Sequence, residues 1–149
     1  MKVLNKLFYS KQDIDAMVEK LAASIIKSNK KIDLIVGIEN GGLHVSIPLA
    51  KLLNKPHASI VVSFYRDSKT PHKTPIVNDK GISWNSQDSY LFVDDLIDSG
   101  NTIKILPKIV KKGEISTAVL FWKKDNEHNV KPTYYVAEKP NGWIEFYWE

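Results

Sequence analysis

The chain has 149 residues, a length that fits one globular domain and leaves little room for a second. It contains no cysteine, which excludes a disulfide framework and a thiolate zinc site and fits the cytoplasmic location that we expect. The formal net charge is +4 without a dense basic stripe, and no run approaches about 20 apolar residues, so we expect neither nucleic-acid binding nor a transmembrane segment.

The N-terminal region predicts an amphipathic helix over residues 11–29. Ser10 and Asp13 have the spacing of a capping box, with Asp in place of the usual Glu. Behind them, apolar residues recur every three or four positions, as on one face of a helix. These apolar residues are Ile14, Val18, Leu21 and Ile25.

A buried strand and a second helix follow. The apolar run over residues 33–38 predicts the strand, which ends in a glycine turn over residues 39–42. Residues 43–53 predict a helix, and Pro48 must lie in its first turn or kink it.

The middle of the chain predicts a strand followed by a long loop. Residues 58–65 are rich in β-forming side chains and predict the strand. The polar segment 66–75, interrupted by two prolines, predicts an exposed loop. Residues 76–84 predict one or two short strands.

The second half again alternates between strands and a helix. Strands are predicted over residues 90–93, 115–122 and 133–137, and a helix over residues 102–112 that ends at Gly113. This alternation indicates an α/β fold in which helices flank both faces of a mostly parallel twisted sheet, within one domain over residues 1–149. Folds of this class bind ligands at the carboxyl ends of their strands.

The segment over residues 90–102 carries the strongest functional signal. An apolar strand leads into Asp94 and Asp95, and a third carboxylate, Asp98, follows three residues later. A small, hydroxyl-containing turn over residues 99–102 then opens a helix. Amides and hydroxyls at a helix N-terminus bind phosphate, and carboxylates beside them bind sugar hydroxyls or Mg²⁺. The segment therefore predicts a site for a sugar phosphate.

This segment resembles the signature of the type I phosphoribosyltransferases, which act on phosphoribosyl pyrophosphate (PRPP). Two aspartates alone would indicate a solvated turn, and Ser99 alone a helix cap, but the whole pattern matches. The resemblance implies that Asp94 and Asp95 bind the ribose hydroxyls and Mg²⁺. It also implies that Asp98 faces N7 of a purine as the catalytic base or acid. The residues implied to hold the 5-phosphate are Ser99, Gly100, Asn101 and Thr102.

The glycine turn gives further support. Gly41 and Gly42 allow backbone amides to approach an anion closely, although an ordinary strand-to-helix turn has the same composition. In the type I phosphoribosyltransferases this loop binds the pyrophosphate of PRPP. The resemblance therefore implies that role for Asn40, Gly41 and Gly42. Related enzymes often have arginine where this chain has Asn40, so one expected positive charge is missing.

The polar segment resembles the flexible lid of these enzymes, over residues 64–76. A lid excludes water from an oxocarbenium-like transition state. The alternative is a solvated surface loop. The lid residues implied by the resemblance are Ser63, Tyr65, Arg66 and Lys69.

The aromatic C-terminal segment resembles the tail of xanthine-guanine and hypoxanthine phosphoribosyltransferases. It predicts a small hood over residues 138–149, which is either a packed flap or a platform for a flat base. The resemblance implies that Trp143 stacks on the purine and that the backbones of Ile144 and Glu149 bind its edge.

The same resemblance implies that Lys123 donates to the purine O6, or Lys124 if the register shifts by one residue. The implied enzyme attaches ribose 5-phosphate from PRPP to N9 of a 6-oxopurine with Mg²⁺, as a homo-oligomer (dimer or tetramer). Two alternatives stay open. The acceptor is another base, or the chain is a PRPP-binding regulatory protein on the same fold.

Overall fold

The computed structural model of the chain describes residues 5–66 and 73–149. Within these residues, three helices span Lys11–Ser28 (α1), Leu43–Leu53 (α2) and Asn101–Ile109 (α3). Strands β1 to β8 span, in chain order, Lys6–Tyr9, Leu34–Glu39, His57–Arg66, Lys73–Asn78, Ser89–Ile97, Glu114–Trp122, Tyr134–Glu138 and Trp143–Phe146. No helix in the described part of the chain is both long and apolar enough to cross a membrane.

The main sheet has six strands in the order β4-β3-β2-β5-β6-β7. All neighbours in it run parallel except β3 and β4, which form an antiparallel hairpin. The carboxyl ends of β2, β5 and β6 consequently meet at one edge of the sheet, where ligands bind in folds of this class.

Helices cover both faces of this sheet. Leu91 and Val93 on β5 pack into the apolar cluster that contains the buried faces of α1 and α2. Their neighbours Tyr90 and Phe92 point the other way and pack with Leu106 of α3. Because successive side chains of a strand point to opposite faces, one strand contributes to both cores. The predicted α/β fold is confirmed.

The first helix follows the sequence pattern closely. The Ser10 hydroxyl accepts a hydrogen bond from the Asp13 amide at 3.1 Å, and the Asp13 carboxylate accepts one from the Ser10 amide at 2.9 Å. This capping box satisfies two amides that have no partner within the helix. The predicted apolar face is buried, and α1 ends at Ser28, where Asn29 takes the left-handed conformation with φ 54°.

Two predicted boundaries are wrong. We expected α3 to extend to about residue 112, but Val110 leaves the helix and buries its side chain in the core. Gly113 is therefore not a helix stop. Its φ is +100°, and a Cβ there would lie 2.6 Å from the Tyr90 ring, so the turn into β6 requires glycine. The predicted loop 66–75 is also too long, because β4 begins at Lys73, opposite Arg66.

A second, two-stranded parallel sheet joins the chain ends and was missed by the sequence reasoning. β1 pairs with β8, from Lys6 opposite Trp143 to Tyr9 opposite Phe146. Phe146 is buried and packs 6.1 Å from the Phe121 ring, while Tyr9 contacts the same ring at 4.9 Å. This small sheet anchors the predicted hood to the main core.

Candidate active site

The acidic pair lies on the upper part of β5. Pairing with β2 extends only to Val93, opposite Gly37, whereas pairing with β6 continues to Ile97. The strand predicted to end at Val93 is therefore four residues longer, but Asp94 and Asp95 do lie beyond its last pair with β2. A cavity of about 170 Å³ is lined by residues 94–103.

The glycine turn packs directly against this end of β5. A Cβ on Gly41 would lie 2.3 Å from the Asp95 carboxylate. A Cβ on Gly42 would lie 2.4 Å from the Ile38 carbonyl oxygen and 2.7 Å from the Val93 carbonyl oxygen. The structure thus brings Gly41 and Gly42 of the predicted pyrophosphate loop next to the acidic pair. The peptide bond between Glu39 and Asn40 is cis.

The two carboxylates raise each other's energy when both are ionised. Burial raises the pKa of Asp94 well above its ordinary value, and the Asp95 carboxylate beside it acts in the same direction. Burial also raises the pKa of Asp95, although hydrogen bonds with the Asp94 side chain and the Leu96 amide, and to a smaller extent the nearby His44, oppose this. Among the described residues neither carboxylate forms an ion pair. A bound cation would therefore stabilise the ionised pair.

The donor set fits Mg²⁺ that is held jointly with a substrate. No cluster of three or more His, Asp or Glu side chains suited to a metal occurs in residues 5–66 and 73–149. Mg²⁺ in phosphate-handling enzymes is commonly held by one or two carboxylates together with substrate oxygens. Asp94 and Asp95 supply that pair.

The predicted phosphate turn has the expected geometry. Gly100 has φ +86°, and α3 begins at Asn101, one residue before the predicted start. The Ser99 hydroxyl accepts a hydrogen bond from the Asn101 amide at 3.2 Å. Residues 99–102 thus form a tight turn into a helix N-terminus, where unpaired amides favour an anion.

The predicted catalytic residue Asp98 and the predicted base-binding residue Lys123 lie side by side. Lys123 Nζ is 3.6 Å from Asp98 Oδ1, and both side chains are at least half exposed. The pairing of β5 with β6 produces this contact, since the Lys123 amide donates to the Ile97 carbonyl at 2.9 Å. The register therefore places Lys123, rather than Lys124, beside Asp98.

The hood folds over the first turn of α2. Trp148 stacks between His44, at 4.5 Å, and Phe146, at 4.4 Å. Trp143 is 58% exposed, as a base-stacking residue would be. Ile144 is buried, and the Glu149 amide donates to the Phe146 carbonyl at 3.0 Å.

The structure does not test every predicted site residue. The cavity of about 170 Å³ is not lined by the glycine turn, Lys123, Trp143, Ile144 or Glu149. Ser63 is exposed on the β3–β4 hairpin. Lys69 and the side chains of Tyr65 and Arg66 lie outside the described residues, so the lid stays a prediction.

The loop between β6 and β7 contributes residues that the sequence reasoning missed. Buried Asn126 donates to the carbonyls of Lys123, at 3.0 Å, and Val130, at 2.7 Å. A Cβ on Gly100 would lie 3.0 Å from the Asn126 side-chain oxygen, so this loop packs on the phosphate turn. His128 in the same loop contacts Asn101. Nothing in the local sequence pattern indicates these contacts.

A larger groove of about 980 Å³ lies between the hairpin and α3, and we call it the hairpin groove. Phe64 and Val77 line it from the hairpin, and Asn101 and Lys104 line it from α3. Asp98 and Ser99 also border it. The groove is therefore continuous with the predicted phosphate turn.

Comparison with known proteins agrees with this geometry. A hypoxanthine-guanine phosphoribosyltransferase of Streptococcus pyogenes is 27% identical over 95% of this chain and 82% of its own length. A xanthine-guanine phosphoribosyltransferase of Gluconobacter oxydans is 29% identical over 87% of this chain and 76% of its own. A purine phosphoribosyltransferase of Pyrococcus horikoshii superposes with a TM-score of 0.83 at 28% identity, covering 97% and 94% of the two chains.

The family itself is shown by a match over nearly the whole chain. The family model of the phosphoribosyl transferase domain matches residues 7–149. That range includes the glycine turn, the acidic pair, the phosphate turn and the hood. The predicted phosphoribosyltransferase assignment is confirmed, and the chain belongs to the phosphoribosyl transferase domain family.

Proposed function

We propose that the chain transfers the 5-phosphoribosyl group of PRPP to N9 of a 6-oxopurine and releases pyrophosphate. The similar proteins are named as hypoxanthine-guanine, xanthine-guanine and purine phosphoribosyltransferases, which supports a purine acceptor. The observation that carries the proposal is the contact between Lys123 and Asp98 beside the phosphate turn.

These two side chains complement one edge of a 6-oxopurine. O6 and N7 are neighbouring hydrogen-bond acceptors on that edge in guanine, and lysine supplies only donors. Lys123 would donate a hydrogen bond to O6. Asp98 would accept one from N7, in the tautomer of the base that carries a proton on N7. Adenine presents an amino donor in place of O6, which a lysine cannot accept. The exposed ion pair costs little to separate, so an entering base can replace it.

The sugar phosphate is proposed to lie along β5 and α3. Asp94 and Asp95 bind the ribose hydroxyls and Mg²⁺, and Ser99, Gly100, Asn101 and Thr102 bind the 5-phosphate. The pyrophosphate lies against the glycine turn of Asn40, Gly41 and Gly42. When bound, Mg²⁺ supplies positive charge for the departing pyrophosphate. The juxtaposition of the turn with Asp95 supports this arrangement.

The proposed reaction exchanges one bond at the sugar. N9 of the base attacks C1 of the ribose as the bond from C1 to the pyrophosphate oxygen breaks. The purine loses its N7 proton to Asp98, and pyrophosphate carries away the electron pair of the broken bond. Negative Asp98 also stabilises the cationic sugar in the transition state. Trp143 stacks on the base, and the backbones of Ile144 and Glu149 border it.

Three further expectations stay proposals. The lid residues Ser63, Tyr65, Arg66 and Lys69 would shield the transition state from water. The chain would act as a cytoplasmic homo-oligomer. Asn40 would weaken the pyrophosphate contact relative to an arginine, because it has no charge.

A base panel tests the proposal directly. The protein is incubated with PRPP and Mg²⁺ together with guanine, xanthine, hypoxanthine, adenine or a pyrimidine, and nucleoside monophosphate is measured. We expect product with at least one 6-oxopurine and little with adenine. Binding of PRPP without product from any base would favour the regulatory alternative. Product only from adenine or a pyrimidine would contradict the assigned role of Lys123.

A further inference from the structure

Three polar side chains form a chain of contacts from α3 to the loop between β6 and β7. Lys104 Nζ lies 3.2 Å from His128 Nδ1, and His128 Nε2 is hydrogen-bonded to Asn101 Oδ1. Asn101 is the first residue of α3 and lines both the small cavity and the hairpin groove. His128 thus contacts a predicted phosphate-binding residue from outside the segment 94–102.

The chemistry of these groups fixes the direction of each hydrogen bond. A lysine ammonium group has only donors, so His128 Nδ1 must accept and carry no proton. The proton of the neutral ring then lies on Nε2, which donates. The amide atom that faces Nε2 must be the oxygen of Asn101, which settles the orientation of that amide.

The amide nitrogen of Asn101 is left available for a ligand. Its two N–H donors point away from His128, since the oxygen faces the ring. Within residues 5–66 and 73–149, the side-chain hydrogen bond of Asn101 uses its oxygen, and none uses the side-chain nitrogen. A phosphate oxygen is an acceptor that both donors suit.

We propose that His128 is a positioning residue for the sugar-phosphate site: held by Lys104, it orients the Asn101 amide so that its N–H donors face the 5-phosphate. The inference rests on the proposed function, because it requires a phosphate in the turn over residues 99–102. An amide rotated by 180° would present its oxygen and repel the anion. Fixing the amide before binding removes that unproductive orientation.

Comparison of GMP with guanosine isolates the contribution of the 5-phosphate to the binding affinity. Binding of GMP and of guanosine is measured calorimetrically, since the two ligands differ only by the 5-phosphate. We expect His128→Ala to weaken GMP binding about tenfold, as for loss of an oriented hydrogen bond to a charged group, and to leave guanosine binding unchanged. His128→Gln keeps an acceptor for Lys104 and a donor for Asn101, so it should retain the affinity of the wild type for GMP.

Two lysine variants distinguish an effect of the contacts among Lys104, His128 and Asn101 from an effect of overall positive charge. Lys108 lies one turn beyond Lys104 on α3 and lines the same hairpin groove. Lys108→Ala should change the ratio of GMP to guanosine affinity by less than about twofold, because an exposed charge without a direct contact is screened. Lys104→Met should reduce GMP affinity more than Lys108→Ala does, because it removes the group that sets the ring tautomer.

A double-mutant cycle with Asn101→Ala decides how His128 acts. If His128 works through Asn101, His128→Ala causes no further loss of GMP affinity in the Asn101→Ala protein. A full additional loss in that background overturns the proposal, as does wild-type GMP affinity in folded His128→Ala protein. Should His128→Ala fail to fold, unchanged GMP affinity in Lys104→Met overturns it instead.

The same ligands distinguish this inference from the proposed reaction. A wild-type protein that prefers GMP to guanosine but forms no nucleotide from PRPP contradicts the reaction and supports the phosphate site on which the positioning role depends. A wild-type protein that binds GMP no more tightly than guanosine overturns the positioning role, whatever its activity.

Discussion

Replacing the adjacent glycines Gly41 and Gly42 by alanine should have two different effects. Neither glycine has a positive φ, so alanine introduces no backbone strain and the added methyl group is the whole perturbation. At Gly42 that methyl would meet the backbone carbonyl oxygens of Ile38, at 2.4 Å, and Val93, at 2.7 Å. At Gly41 it would meet the end of the Asp95 side chain at 2.3 Å.

The size of each effect depends on whether the atoms that the added methyl group would meet can move. The carbonyls belong to β2 and β5, so the Gly42→Ala clash must displace paired strands, which costs about 2 kcal/mol by analogy with overpacked cores. For a domain of this size that lowers Tm by about 6 °C. The Asp95 carboxylate can instead rotate away from an alanine at position 41. Gly41→Ala should therefore keep its Tm but lose about 100-fold in kcat/KM for PRPP, because Asp95 is misplaced.

Thermal melting and PRPP kinetics on both variants test this contrast, and each variant serves as the control for the other. Gly42→Ala protein that melts within about 1 °C of the wild type would show that the turn does not pack on β5 as described. Wild-type kinetics for Gly41→Ala would refute the close approach to Asp95.

Three further predictions concern the acidic and aromatic residues. The pKa of Asp94 is raised in the folded protein, so the ionised form of this side chain destabilises the fold. This destabilisation is absent below the pKa that Asp94 has in the unfolded chain, and it grows as pH rises through the pKa that it has in the folded protein. Asp94→Asn should thus raise Tm at pH 8 but not at pH 3, and should weaken PRPP binding with Mg²⁺; an unchanged Tm at pH 8 would contradict the burial effect. Asp98→Asn should lower kcat roughly 10²- to 10⁴-fold with Tm unchanged, and wild-type turnover would exclude a catalytic role. Trp143→Ala should raise KM for the base with little change in Tm, since the ring is 58% exposed; an unchanged KM would remove it from the base site.

Local sequence patterns were enough for the parts of the fold that depend on neighbouring residues. The capping box of Ser10 and Asp13 and the apolar spacing behind it determine where α1 begins and which face it buries. The same holds for the turn into α3, because Gly100 and the residues around it are contiguous. For that reason the sugar-phosphate motif over residues 90–102 could be predicted from the sequence.

The features that were not predicted from the sequence depend on contacts between distant parts of the chain. β5 continues past Val93 because β6, not its own composition, supplies partners as far as Ile97. The strand β1 pairs with β8 at the opposite end of the chain, and each has only four residues. Asn101 and His128 are separated by 27 positions, and no periodicity relates them.

The pairing of Lys123 with Asp98 shows how the two kinds of information combine. The resemblance assigned both residues but left Lys124 open as an alternative. The parallel register of β5 and β6 aligns Ile97 with Trp122, and the residues that follow each strand then meet. Registry between parallel strands is set by packing across the whole sheet, so a single sequence does not reveal it.

A crystal structure of the protein with PRPP and Mg²⁺ tests the central claim most directly. We predict the 5-phosphate against the amides and side chains of residues 99–102, with the ribose hydroxyls and the metal beside Asp94 and Asp95. PRPP bound elsewhere, for example deep in the hairpin groove with its phosphate away from the N-terminus of α3, would contradict the account.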